Sequence, residues 1–174
     1  LKGRTEGLIA IIPNLRGEVT MALASRDEGK AERALKEYES LFGKENLFIE
    51  LSLYEERDGH DVFTDSLKSF AKKHGVSLVA AQESYYLERE DRQAWETMRK
   101  IENAHQEIEL EEDYSFRGAA ELHALFEDTP EALQNTLKIA ERCNLDLTLG
   151  KFVFPSFKLP EGVTADERLR ELCM

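Results

Sequence analysis

Three short stretches decide how this sequence folds: GLIAII (Gly7–Ile12), LFIELSL (Leu47–Leu53) and VSLVAA (Val76–Ala81). They are short apolar runs rather than long alternating ones, and turn formers such as Pro13–Asn14 bound them. That pattern reads as strands covered on both faces, the habit of parallel sheets. The sequence between them has helical spacing. Ser25 and Glu28 carry the S-x-x-E signature of a capping box, and Ala31, Ala34, Leu35, Tyr38, Leu41 and Phe42 fall on one stripe before Gly43 ends it. Val62, Phe63, Leu67, Phe70 and Ala71 mark a second helix that stops near His74 and Gly75. The order β-α-β-α-β predicts an α/β fold with short parallel strands joined by helical crossovers.

Beyond Leu87 the pattern turns helical. Ala94, Trp95, Met98 and Ile101 form one stripe and Leu122, Leu125 and Phe126 a shorter one, and both are expected to face the core. Thr129 and Pro130 read as an N-cap followed by proline at the first helical position, opening a helix through Leu133, Leu137 and Ala140. An extended tail follows, LGKFVFPSFKLPEG, in which Pro155 and Pro160 exclude helix. Thr164 and Glu167 then form a capping box for a helix that the chain hardly begins. There is no internal repeat.

Composition narrows the function. The 174 residues, 41% hydrophobic, suffice for one ordinary core. The chain opens at Leu1 without an initiator Met and ends at Met174 just after a helix start, so a piece cut from a longer protein is expected. Its apolar runs fall short of the roughly 18 residues that cross a bilayer, and no signal peptide is recognisable, so a soluble cytoplasmic protein is expected. Cys143 and Cys173 lack metal-type spacing and read as free thiols. A formal net charge of -12 speaks against gripping a phosphate backbone, which needs a Lys/Arg stripe. The acidic run Glu107, Glu109, Glu111, Glu112 and Asp113 lacks the alternation and the turn Gly of a calcium loop and reads as a solvated face.

Chemistry-bearing motifs are scarce. No Gly-rich phosphate loop, G-x-S-x-G elbow or H-E-x-x-H occurs, and His60, His74, His105 and His123 are scattered. The adjacent His60 and Asp61 read as a surface pair. Parallel α/β folds place their sites at the carboxyl ends of strands. Those positions are Pro13 and Asn14, then Tyr54 and Glu55, then Gln82, Glu83, Ser84 and Tyr85. Glu83 is the one carboxylate among them that a metal would clearly want.

The same strand ends carry a resemblance. GLIAIIPNLRGEV (Gly7–Val19), LFIELSLY (Leu47–Tyr54) and SLVAAQESYYL (Ser77–Leu87) resemble stretches of the bacterial DNA polymerase III alpha family. TPEALQNTLKIAERCNLDLTLGKFVFPSFKLPEG (Thr129–Gly162) is similar to that family's P-E-A-L-x-N-T, I-A-E-R-C-N, L-G-x-Y-x-x-P-x-F and P-E-G in the same order. The resemblance covers essentially the whole chain. It implies the later half of a PHP (polymerase and histidinol phosphatase) domain, a distorted β/α barrel, over residues 1–150, with 151–174 as the linker and first helix toward the polymerase palm. Metal-binding members carry Cys, His and an Asp-x-His pair where this chain has Asn14, Tyr54, and Glu83 with Tyr85. The resemblance therefore implies a degenerate metal site, no cofactor and no catalytic residue in this piece.

Two classes of function follow. One is a structural and interaction module of a replicative polymerase, docked to the N-terminal half of the PHP domain and to the palm, and offering a surface to a proofreading exonuclease subunit. The other is a divergent metallo-phosphoesterase or proofreading nuclease built around Glu83, Glu50 and His60. Tyr at two ligand positions favours the first, because a phenol with an ordinary pKa near ~10 stays protonated and binds zinc or manganese poorly. Tyr54 and Tyr85 are then expected to pack near one another with their hydroxyls hydrogen-bonded.

Overall fold

The computed structural model describes residues 3–14, 16–53, 60–102, 113–152, 155 and 157–174. Tyr54, His105 and the run Glu107–Glu112 lie outside these residues, as do the side chains of His60 and Asp61. The chain divides into two compact units, residues 1–143 and 144–174.

The first unit is built on an open parallel sheet of three strands in sequence order: β1 (Ala10–Ile12), β2 (Leu47–Leu51) and β3 (Ser77–Ala80). Ile12 lies opposite Ile49, and Ile49 opposite Leu78. The central strand explains the unbroken apolar runs, since Leu47, Phe48, Ile49 and Leu51 are all buried. Such burial needs cover on both faces. Helices α1 (Glu18–Ala24), α2 (Glu28–Phe42), α3 (His60–His74) and α6 (Pro130–Arg142) pack against the strands, and the chain also forms α4 (Arg92–Glu102) and α5 (Ala119–Leu125). Val19, Ala22 and Leu23 of α1, Ala31, Ala34 and Leu35 of α2, and Leu67, Phe70 and Ala71 of α3 join the strands in one core with Phe126 and Ala132.

Several local expectations needed correction. The connection from β1 to β2 holds two helices, not one. Ser25 ends α1 rather than capping α2, and the N-cap of α2 is Asp27, whose carboxylate accepts the Lys30 N–H at 2.9 Å. Either residue can cap a helix, but Ser25 spends its hydroxyl on the Ala22 carbonyl (2.9 Å) inside the preceding turn. The α4 stripe does not form core: Ala94, Met98 and Ile101 are exposed and Trp95 is half-buried. On α6 Leu137 and Ala140 are exposed, and the buried positions are Ala132 and Asn135. Thr129 stands at the N-cap, its hydroxyl without a partner among the described residues, while Pro130 occupies the first turn as expected.

Asn135 explains why α6 lies where it does. Its Nδ2 donates to the Leu78 carbonyl at 2.7 Å, and its Oδ1 accepts from Lys138 Nζ at 3.1 Å. Among the described residues β3 pairs with β2 alone, and a side-chain amide here meets a carbonyl of β3.

In the second unit the described residues before Thr164 form no helix or strand, and the chain then enters α7 (Ala165–Cys173), nine residues and therefore more than a beginning. Its capping box is the expected one, with Thr164 Oγ1 accepting the Glu167 N–H at 3.3 Å and the Thr164 N–H donating to Glu167 at 2.9 Å. Both cysteines are free and exposed. Among the described residues no helix is long and apolar enough to cross a membrane.

Candidate functional site

Because all three strands are parallel, their carboxyl ends share one edge of the sheet, where a site of this architecture would be assembled. At the end of β1 the chain turns sharply. A Cβ on Gly17 would stand 2.5 Å from the Pro13 carbonyl oxygen and 2.8 Å from Ile12 Cγ2, so only glycine fits this turn. The Gly17 N–H donates to the Pro13 carbonyl (3.2 Å), and the Thr20 hydroxyl lies 2.9 Å from the carbonyls of both Pro13 and Gly17. These bonds hold α1 against the strand end.

Asn14 is buried there, 1% exposed, and its Nδ2 donates to the Ser52 carbonyl at 3.1 Å, tying the end of β1 to the end of β2. Among the described residues its Oδ1 has no hydrogen-bond partner. The Ser52 hydroxyl is 2.7 Å from Glu50 Oε1, so the nearby carboxylate is already engaged.

At the end of β3, Gln82 Nε2 donates to the Ser115 carbonyl (2.9 Å), and Glu83 is exposed. Tyr85 is half-exposed, and its ring lies parallel to Trp95 with centroids 5.2 Å apart and 7° between planes. Tyr114 packs on it at 5.1 Å, tilted. The Tyr86 hydroxyl is bonded: it accepts the Tyr114 N–H at 2.9 Å and lies 3.4 Å from Asp113 Oδ1. Among the described residues no hydrogen bond engages the Tyr85 hydroxyl. The expected Tyr54–Tyr85 pair falls outside the described residues on the Tyr54 side, and the neighbours seen for Tyr85 are Trp95 and Tyr114.

Asp113 anchors this corner. Burial pushes its carboxyl up, but the Ser115 N–H and hydroxyl and the charges of Arg89 and Arg117 outweigh burial and hold it below the ordinary carboxylate range. Arg89 Nε pairs with it at 2.9 Å and also reaches Glu121 at 3.0 Å. The aromatic cluster and the Arg89 network escaped the sequence reading because their members are separated in the chain and follow no period.

At the described strand ends the donors are the Asn14 amide, committed to a carbonyl, the Glu50 carboxylate, engaged by Ser52, the exposed Glu83 and the Tyr85 phenol stacked on indole, and among these no zinc or manganese cluster is gathered. Metal-capable groups converge elsewhere: Glu28 and Glu32 of α2 and His74 of α3 bring donor atoms within 4.8 Å of one another. The Lys73 ammonium already lies against both carboxylates, at 2.6 and 3.4 Å. Its hydrogen bond lowers the Glu28 pKa, and the same bond raises that of Lys73.

The fold defines the class: an α/β module on a small open parallel sheet whose strand ends share one edge. No family model matches the chain. It is similar to the DNA polymerase III alpha subunits of Halalkalibacterium halodurans (34% identical over 172 residues, 97% of this chain), Pseudomonas aeruginosa (32% over 176, 98%) and Thermus aquaticus (32% over 187, 99%). The chain spans about 15% of the length of each of these relatives. It belongs to the DNA polymerase III alpha family and corresponds to a segment of such a chain.

Proposed function

We propose that this chain is the later half of the PHP domain of a bacterial DNA polymerase III alpha subunit, serving cytoplasmic DNA replication as a structural and interaction module whose metal site has degenerated. Residues 1–150 are the barrel portion and 151–174 lead toward the palm. The parent polymerase is a nucleotidyltransferase, and this piece contributes no catalytic group. Its partners are the N-terminal half of the domain, the palm and a proofreading exonuclease subunit.

The observation that carries this reading is Asn14. At a position where metal-binding members of the family carry a ligand, its amide is buried and ties two strands through the Ser52 carbonyl. A buried strut and an exchangeable ligand are different uses of one side chain. The deciding experiment is elemental analysis combined with a phosphoesterase assay on protein extended upstream to complete the domain. The expected result is no stoichiometric zinc or manganese and no turnover. Stoichiometric metal with turnover that disappears in Glu83→Ala would establish the divergent phosphoesterase instead.

A further inference from the structure

Away from the strand ends, a cleft of about 300 Å³ opens beside the turn between α1 and α2 and the outer face of α3. Leu23 and Phe70 supply its apolar part, Arg26, Ser66 and Ser69 line it, and Glu28 and Lys73 complete it.

Arg26 holds a backbone conformation that usually belongs to glycine, with φ 60°. It stands just past the end of α1, where its N–H donates to the Leu23 carbonyl and the Asp27 N–H to the Ala22 carbonyl, both at 2.9 Å. This is a Schellman closure with a long cationic side chain at its left-handed position. Among the described residues the Arg26 guanidinium has no carboxylate partner. Nor does any hydrogen bond engage the hydroxyls of Ser66 and Ser69, although Thr97 and Thr136 return theirs to carbonyls of their own helices. Lys73 and Glu28 neutralise each other at 2.6 Å. The lining is thus left with one positive charge, two spare hydroxyl donors and an apolar surface, on a chain whose net charge is -12.

We infer that this cleft binds a single carboxylate carried next to an apolar group. The guanidinium fork takes a carboxylate through two parallel N–H donors, the serines supply further donors, and the apolar neighbour rests on Leu23 and Phe70. A dianion fits less well, because Glu28 faces the same space.

The test is a chemical-shift titration of the chain with N-acetylleucine, with the blocked tripeptide Leu-Glu-Leu, and with the neutral N-acetylleucinamide as control. Saturable shifts at Arg26, Ser66 and Ser69 are expected for the acids. The control should bind at least about tenfold more weakly, the ratio that one charge-assisted bond provides. Preference for N-acetylleucine assigns a chain terminus or small acid as the source, and preference for the tripeptide an acidic side chain. Arg26→Gln should abolish the difference between acid and amide. Arg26→Gly relieves the left-handed backbone, so the fold should be at least as stable while acid binding is lost. Equal binding of acid and amide, or binding unchanged in Arg26→Gly, would overturn the inference.

Discussion

Replacing Asn135 by alanine tests whether a polar side chain, invisible to hydrophobic periodicity, holds α6 on the sheet. Its amide is buried, 7% exposed, and donates to the Leu78 carbonyl at 2.7 Å. Truncation removes a hydrogen bond with a net contribution of about 1 kcal/mol and leaves a buried carbonyl without its donor, a further cost of about 1–3 kcal/mol. The expected loss is about 2–4 kcal/mol, or roughly 5–15 °C in the thermal midpoint of a domain of this size. Asn135→Asp should be worse than Asn135→Ala near neutral pH, because its carboxylate has no proton to give and faces a carbonyl oxygen. Lys138→Ala, which removes only the partly buried outer bond, should cost under about 1 kcal/mol. Urea unfolding followed by far-UV circular dichroism measures all three. An alanine variant within about 0.5 kcal/mol of the parent chain, or an aspartate no worse than alanine, would refute the assignment.

Three further outcomes are expected. Asp27→Ala should cost about 1 kcal/mol through loss of the α2 cap, whereas Ser25→Ala should stay near 0.5 kcal/mol or below, and denaturant midpoints will rank them. The Asp113 carboxyl has a folded pKa below its ordinary 3.8, so its contribution to stability is present above that value and lost as the pH falls through the lower folded one. The stability gap between the parent chain and Asp113→Asn should therefore be widest near neutrality and close on acidification below 3.8, as read from urea midpoints across pH. With a net charge of -12, the chain should show no saturable binding to duplex DNA at physiological salt, and a salt-sensitive complex below about micromolar in fluorescence anisotropy would contradict this.

The strands and their parallel pairing were legible because burial on both faces writes itself as an unbroken apolar run, as in Leu47–Leu51. The helices with their own stop signals were legible for a similar reason: Gly43 and Gly75 both stand at positive φ where runs end. α1 was missed because its seven residues carry no side-chain cap and end at Arg26, where no glycine announces the turn. The α4 stripe was real as a pattern, but spacing reveals that a face exists and says nothing of what it meets. At the strand ends the residue types gave the ligand chemistry. The bond from Asn14 to Ser52 and the stacking of Tyr85 on Trp95 could not be read, because each depends on where a distant segment returns.

The bond from Asn135 to Leu78 also has a consequence in time. The two residues are 57 positions apart, so a growing chain exposes the finished β3 for as long as the next 57 residues take to make. At 5–20 residues per second that is about 3–11 s, far longer than a hairpin or helix needs to form. During this interval β3 lacks the helix that covers it in the folded unit. Misassembly of this segment should therefore depend on synthesis rate and on chain crowding, and it should end when α6 docks.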